Sequence, residues 1–161
     1  MSTGPADGIR FSLELPSRTE PRRYKVRPVA EADAGAVADL LRHGPGINRH
    51  KPPTQSPNAM ATCLGVYDEM RVLRGIVELR AGAPTPDCCF IELMVIDPRY
   101  RRAGMGAALV AELATRLKQS GAERFAIEVD DDNDLAAKFW LRQGFVETGA
   151  RGERRSFEKA L

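Results

Sequence analysis

Histidine and cysteine are scarce in this chain, and several chemistries fall away with them. There are two histidines (His43 and His50) and three cysteines (Cys63, Cys88 and Cys89) among 161 residues. No Cys/His spacing matches a zinc site. An odd cysteine count in strand-like surroundings points to reduced, buried thiols and not to a disulfide frame. Net charge is only +2, so nothing in the bulk electrostatics calls for nucleic acid. Aromatic residues are 6% of the chain and do not interleave with arginines as in single-strand binders. No apolar run reaches membrane-spanning length. The stretch MSTGPADGIRFSLELPSR lacks the apolar centre of a secretion signal. The expectation is a cytoplasmic protein without membrane or nucleic-acid partners.

What remains is ordinary for one folded domain: 43% hydrophobic and 29% charged residues, in a length that supports a single core. Residues 1–22 form a leader, either disordered or an added edge strand. Ile9, Phe11, Leu13 and Leu15 alternate with polar residues, a period of two that fits a strand, one that could pair with another subunit. Tyr24 to Val29 reads as a strand. Ala30 to His43 reads as a helix with Val37, Leu40 and Leu41 on one face and Gly44 at its end. Residues 44–58 hold four prolines and read as a long loop, either a binding wall or simply a mobile connection.

Three strands follow, Ala61 to Tyr67, Arg71 to Arg80 and Cys88 to Ile96, joined by turn-forming residues. The third is apolar on both faces except for Glu92, so it is expected at the centre of the sheet. Gly104 to Gln119 forms an amphipathic helix with Leu109, Val110, Leu113, Ala114 and Leu117 inward. Arg124 to Val129 is a strand. Leu135 to Gln143 is a helix with Leu135, Ala136, Phe139 and Trp140 inward. Phe145 to Thr148 and Glu153 to Lys159 form a closing pair. Residues 23–161 thus make one α/β domain, a mixed sheet flanked by helices.

The organising stretch is Phe90 to Leu117. Between its strand and helix lies Arg101-Arg102-Ala103-Gly104-Met105-Gly106. A helix start offers unpaired amides and the positive end of the helix dipole, and glycines let a ligand approach the backbone. This is an anion site, most naturally for phosphate. It is not a P-loop, which needs Gly-Lys-Ser/Thr. Nor does it fit a dinucleotide fingerprint, because Leu109 stands where a third small residue is required.

Ile96-Asp97-Pro98 followed by Arg101-Arg102-Ala103-Gly104-Met105-Gly106 resembles the central signature of the GNAT superfamily of acyl-CoA N-acyltransferases. A second signature appears in order as Asn133, Ala136, Phe139, Trp140, Gly144 and Phe145. The resemblance covers Arg23 to Lys159. It implies a GNAT-like mixed sheet and acetyl-CoA as cosubstrate. The acceptor would be a small-molecule or peptide amine, and a homodimer is possible. It implies that Met94, Val95 and Ile96 pair through their main chain with the pantetheine arm, and that an amide near Met94 or Val95 polarises the thioester carbonyl. The loop residues Arg101, Arg102, Ala103, Gly104, Met105, Gly106 and Ala107 would surround the pyrophosphate. Asn133 would contact the cofactor arm, cap the following helix, or both.

Amine attack needs a base. Glu92 is one candidate, because a buried, unpaired carboxylate is costly and has a raised pKa. Glu128, five residues before Asn133, is the other. Each could instead be a structural ion pair, with Arg80 or Arg124 for instance, and Glu78 is a weaker candidate. Members of the family commonly carry Tyr where this chain has Trp140, and that Tyr protonates the leaving thiolate. Trp140 cannot do so. It would shield the sulfur or serve as a core aromatic, leaving Tyr67 or water as acid. The same absence admits an acyl-CoA-sensing module of weak activity. The acidic run Asp130 to Asp134 reads as a solvated helix entrance or as an attraction for a cationic amine.

Overall fold

The computed structural model describes residues 8–44 and 61–161. Eight strands form one sheet in the order β1-β2-β3-β4-β5-β6-β8-β7. They are β1 (Phe11–Leu15), β2 (Arg22–Pro28), β3 (Ala61–Tyr67), β4 (Leu73–Ala81), β5 (Cys88–Ile96), β6 (Arg124–Asp130), β7 (Val146–Arg151) and β8 (Arg154–Ala160). Three α-helices accompany them: α1 (Ala34–Leu41), α2 (Met105–Gln119) and α3 (Asp134–Arg142). The mixed α/β sheet with flanking helices is the expected class. The proline-bearing segment 44–58 lies outside the described residues apart from Gly44.

Residues 9–15 keep their period of two. Ile9, Phe11, Leu13 and Leu15 are all buried, and β1 pairs antiparallel with β2 of its own chain, Phe11 opposite Val26 and Leu15 opposite Arg22. Its apolar side joins the larger core, which includes α2, and the Arg116 guanidinium lies 4.7 Å from the Phe11 ring centre.

The two faces of the sheet are covered differently. One carries α2 and α3, whose Leu109, Val110, Leu113, Leu117, Ala137 and Trp140 pack with Leu64, Val77, Ile91, Phe125, Ile127 and Phe157. Each such side chain removed from water contributes about 1.5–3 kcal/mol, so this layer dominates the core. On the other face, among the described residues, lies α1, with Val37, Leu40 and Leu41 against Leu73, Ile76 and Val95. The helical stripe of α2 is as its spacing predicts. That of α3 is not, because Leu135 is 78% exposed. Leu135 stands at the mouth of a cleft, while Ala137 of the same turn meets the core.

β5 is central, as expected from its composition, but it is not uniformly buried. It pairs antiparallel with β4 and parallel with β6, and the parallel pairing runs only from Cys88 opposite Arg124 to Ile91 opposite Ile127. A bulge follows immediately: Leu79 faces Ile91 and Glu78 faces Leu93, so Glu92 is the extra residue. A bulge bends its strand and ends regular pairing. Past Glu92, β5 and β6 part.

Candidate active site

The parting of β5 and β6 opens a cleft of about 760 Å³. Residues 92–96 of β5 form one wall and residues 127–130 of β6, with Arg154 of β8, form the other. Gly106 of α2 and Ala136, Phe139 and Trp140 of α3 close it on the helical side, and Arg101, Arg102 and His43 stand at its rim.

The register identifies which backbone groups of β5 are free. The Asp97 amide donates to the Arg74 carbonyl at 2.8 Å, so residue 97 is directed at β4. Alternation along an antiparallel pair then directs Val95 at β4 as well, and Met94 and Ile96 away from it, into the cleft. The backbone groups turned toward the cleft are therefore those of Met94 and Ile96. Val95 is the exception: its backbone belongs to the sheet, and its side chain is buried in the α1 cluster. The same alternation turns the Met94 amide, and not the Val95 amide, toward the cleft.

At the glycine loop, Gly104 has φ +86° and Arg102 φ +61°, so the chain reverses there without a capping side chain. The first bond within α2 runs from the Ala108 amide to the Gly104 carbonyl at 2.9 Å. The amides of Met105, Gly106 and Ala107 precede it and form the donor cluster expected of a helix start. Gly106 is tightly placed: a Cβ there would sit 3.2 Å from the Phe139 ring, which would have to give by a few tenths of an ångström, and 3.7 Å from Met94 Cε. Ala103 is exposed beside it, and the Met105 side chain is buried beneath the loop. Arg101 differs from the reading given by the resemblance. Its Nε donates to the Ile96 carbonyl at 2.9 Å and its Nη2 to the His43 carbonyl at 2.7 Å. The guanidinium ties protein segments together where a pyrophosphate contact was expected.

Asn133 caps α3: its Oδ1 accepts from the Ala136 amide at 3.1 Å. The cap uses the oxygen and not the amide NH2, so capping and a cofactor contact are compatible. Trp140 is 3% exposed, packed edge-on to Phe139 at 4.9 Å and to Phe145 at 5.0 Å. It bounds the cleft as part of the core.

Both candidate bases line the cleft. Glu92 is not the buried, unpaired carboxylate of the first reading; it faces Arg80, the partner named as the alternative. The bulge brings it to the opened strand edge, its side chain is 32% exposed, and Arg80 Nε lies 2.7 Å from Oε1. That N–H is not aimed at the carboxylate, since Arg80 Nε makes no hydrogen bond, so the contact is Coulombic. Glu128 faces Arg154 at 3.6 Å, and Arg154 is shared with Asp130 at 3.3 Å. Arg124 pairs elsewhere, with Asp87 and Glu158. Glu78 is buried on β4, opposite Cys63 and Leu93.

Tyr67 does not border the cleft. Its hydroxyl donates to Asp33 at 2.8 Å, under the Arg27 guanidinium at 3.8 Å from the ring centre. Burial, then the bond to Asp33, push its pKa well above the ordinary phenol value, so it is a poor acid as well as a distant one. Tyr100 is the tyrosine among the cleft-lining residues. It was not singled out in the sequence, although its place just before Arg101 put it within reach. Arg154 was missed too, and no local motif marks it: only the β6–β8 pairing brings it opposite Asp130. The three thiols are free. Burial pushes Cys89, and burial with the nearby Glu78 charge pushes Cys63, up to about 12. Neither is a nucleophile near neutral pH. Among the described residues no group of His, Cys, Asp and Glu is placed to hold a metal.

A family model described as "Acetyltransferase (GNAT) family" matches residues 37–145, 109 of the 161 positions, and the chain belongs to that family. Solved structures agree on the fold. An acetyltransferase from Thermus thermophilus superposes with a TM-score of 0.73 at 18% identity, covering 86% of this chain and 97% of that one. The PaiA N-acetyltransferase from Thermoplasma acidophilum, solved in complex with coenzyme A, gives 0.71 at 17% identity, covering 86% and 99%. The ribosomal-protein-S18-alanine N-acetyltransferase from Escherichia coli gives 0.69 at 18%, covering 86% and 92%. No curated protein sequence matches this chain. Acetyl-CoA is the cosubstrate of this family's reaction, and the residues present suit it: a backbone edge at Met94 and Ile96 that no strand pairs, its Ile96 carbonyl bonded to Arg101, a donor cluster at α2, and a glycine where a side chain would crowd the groove.

Proposed function

We propose that this protein transfers the acetyl group of acetyl-CoA to a primary amine by direct attack within a ternary complex. The observation that carries the reading is the parted β5–β6 pair, because it sets a free backbone edge and an amide-bearing helix start beside two carboxylates in one cleft. Acetyl-CoA supplies an activated thioester. Met94 and Ile96 align its pantetheine arm as a further strand would be aligned. The Met105, Gly106 and Ala107 amides and the Arg102 charge hold its pyrophosphate, and Asn133 flanks the arm.

The acceptor enters from the side opposite α2 and α3. Glu92 or Glu128 takes the amine proton, directly or through water. The new C–N bond forms as the C–S bond breaks, and the Met94 amide stabilises the charge growing on the carbonyl oxygen. The thiolate departs and takes its proton from water. A thiol of pKa about 8.5 is a tolerable leaving group without a protein acid.

The test is thiol release from acetyl-CoA with a panel of primary amines and peptides, including an alanine-terminated peptide. Release that depends on one acceptor class supports transfer. No release above background from demonstrably folded protein refutes it. One observation favours a second reading, an acyl-CoA-sensing module: Trp140 is locked in the core where the family commonly carries its acid. Tight acetyl-CoA binding by calorimetry, with no turnover across the panel, would select that reading.

A further inference from the structure

The Arg101 guanidinium joins two places that sequence keeps far apart. Nε bonds the Ile96 carbonyl, the last backbone group on the free edge of β5, and Nη2 bonds the His43 carbonyl just beyond α1. α1 has eight residues, short enough to be marginal without tertiary support. Val37, Leu40 and Leu41 anchor one of its faces, the last two at its C-terminal end. His43 borders the cleft on one side and, on the other, a second cavity of about 440 Å³ bounded by Asp39, Leu40, Val72 and Asp97. Space thus lies on both sides of the helix end, and the Arg101 fork crosses the gap. A cation there also meets the negative end of the helix dipole.

We infer that Arg101 is a positioning residue that straps the C-terminal end of α1 to the cofactor groove, so that occupancy of the groove steadies the acceptor-side helix. This rests on the cleft being the coenzyme A site. Immobilising the Ile96 edge and the 101–106 loop fixes the base of the fork, and the fork carries that restraint to His43. The planar guanidinium reaches two carbonyls at once; a lysine keeps the charge but is a single point donor. Phosphate attraction would survive Arg101→Lys, and a two-point strap would not.

The experiment follows hydrogen exchange at the His43 and Gly44 amides, which bond the Leu40 and Leu41 carbonyls at 3.1 and 3.2 Å, in wild type and Arg101→Lys. It is run with and without coenzyme A, and coenzyme A affinity is measured by calorimetry. Coenzyme A should slow exchange at these amides in wild type by about fivefold, the ratio one net hydrogen bond carries. Arg101→Lys should abolish the slowing while affinity stays within about threefold. Retained slowing in Arg101→Lys overturns the strap. So does an affinity loss of about tenfold or more, which would make the guanidinium a ligand. If wild type binds no coenzyme A, the proposed function fails by itself. The ligand-free comparison then decides: exchange at His43 and Gly44 faster in Arg101→Lys than in wild type supports the strap, and equal exchange refutes it.

Discussion

Replacing Trp140 by Phe and by Tyr separates packing from chemistry at the position where the family commonly has an acid. The indole is 3% exposed and makes two edge-on contacts, with Phe139 at 4.9 Å and Phe145 at 5.0 Å. Such contacts contribute about 0.5–1.5 kcal/mol each beyond area burial. Complete truncation of a buried Trp costs about 3–5 kcal/mol. Phe keeps one six-membered ring, so the expected loss is about 1–3 kcal/mol, part transfer energy and part residual cavity. For a chain of this length each kcal/mol moves Tm by about 2–4 °C, giving a fall of about 2–12 °C by calorimetry. Trp140→Tyr should fall by a similar amount.

The two variants differ by one hydroxyl. If water serves the departing thiolate adequately, their turnover should agree within about threefold, a barrier difference below 1 kcal/mol. Two results would refute the reasoning. A Trp140→Phe protein as stable as wild type would show that the indole is not a core element. A Trp140→Tyr enzyme about tenfold faster than Trp140→Phe would show that protonation of the leaving group limits the reaction.

Glu92→Gln and Glu128→Gln should differ in their pH–rate profiles: the true base loses turnover by about 10²–10⁴-fold and its acidic limb disappears. If both variants keep the wild-type profile, neither carboxylate is the base. Asp97→Asn should cost about 1–3 kcal/mol at neutral pH by denaturant titration, since this buried carboxylate accepts from the Arg99 amide at 3.0 Å and the Arg99 side chain at 2.8 Å and faces Arg74 at 3.5 Å. The Arg99 bonds foremost, against the opposing effect of burial, hold its pKa below 3.8. Because the folded value is the lower one, the stabilisation is fully present above the unfolded value and is lost as pH falls through the folded one. The gap between Asp97→Asn and wild type should therefore stay constant near neutrality and close below pH 3.8; a gap that is independent of pH down to acid unfolding contradicts the assignment. Leu13→Ala should cost about 2–4 kcal/mol if β1 is a packed strand; a loss within about 0.5 kcal/mol, as at ordinary surface sites, would show that it is not.

Elements with a strong local period were legible before the fold was known. The bounds of β3 and β5 follow from apolar runs bounded by turn residues, and the buried stripe of α2 from 3.6-residue spacing, since each depends on residues close in sequence. The glycine loop was legible for the same reason: a helix start after a proline-stopped strand is a local event. Leu135 was misread because its helical position is inward only if core lies beneath it, and there a cleft opens. The Arg80 pairing of Glu92 was one of two readings; its exposure was not legible, because the bulge that exposes it is a mismatch between two strands. Arg154 and Tyr67 were misplaced or missed because their neighbours, Asp130 and Asp33, are distant in sequence.

The sequence by itself determined the strand–loop–helix cofactor handle and both signatures, because short-range periodicity, helix-start amides and glycine conformation are written in consecutive residues. The tertiary structure alone decided the rest. The cleft exists because β5 and β6 pair in parallel for only four residues. The backbone groups turned toward it are those of Met94 and Ile96, and not of Val95, because of the β4–β5 register. Arg101 reaches α1 because packing brings His43, 58 positions away in sequence, to its fork. Each of these depends on which strand edge is left unpaired, a property of the assembled sheet and not of any single segment.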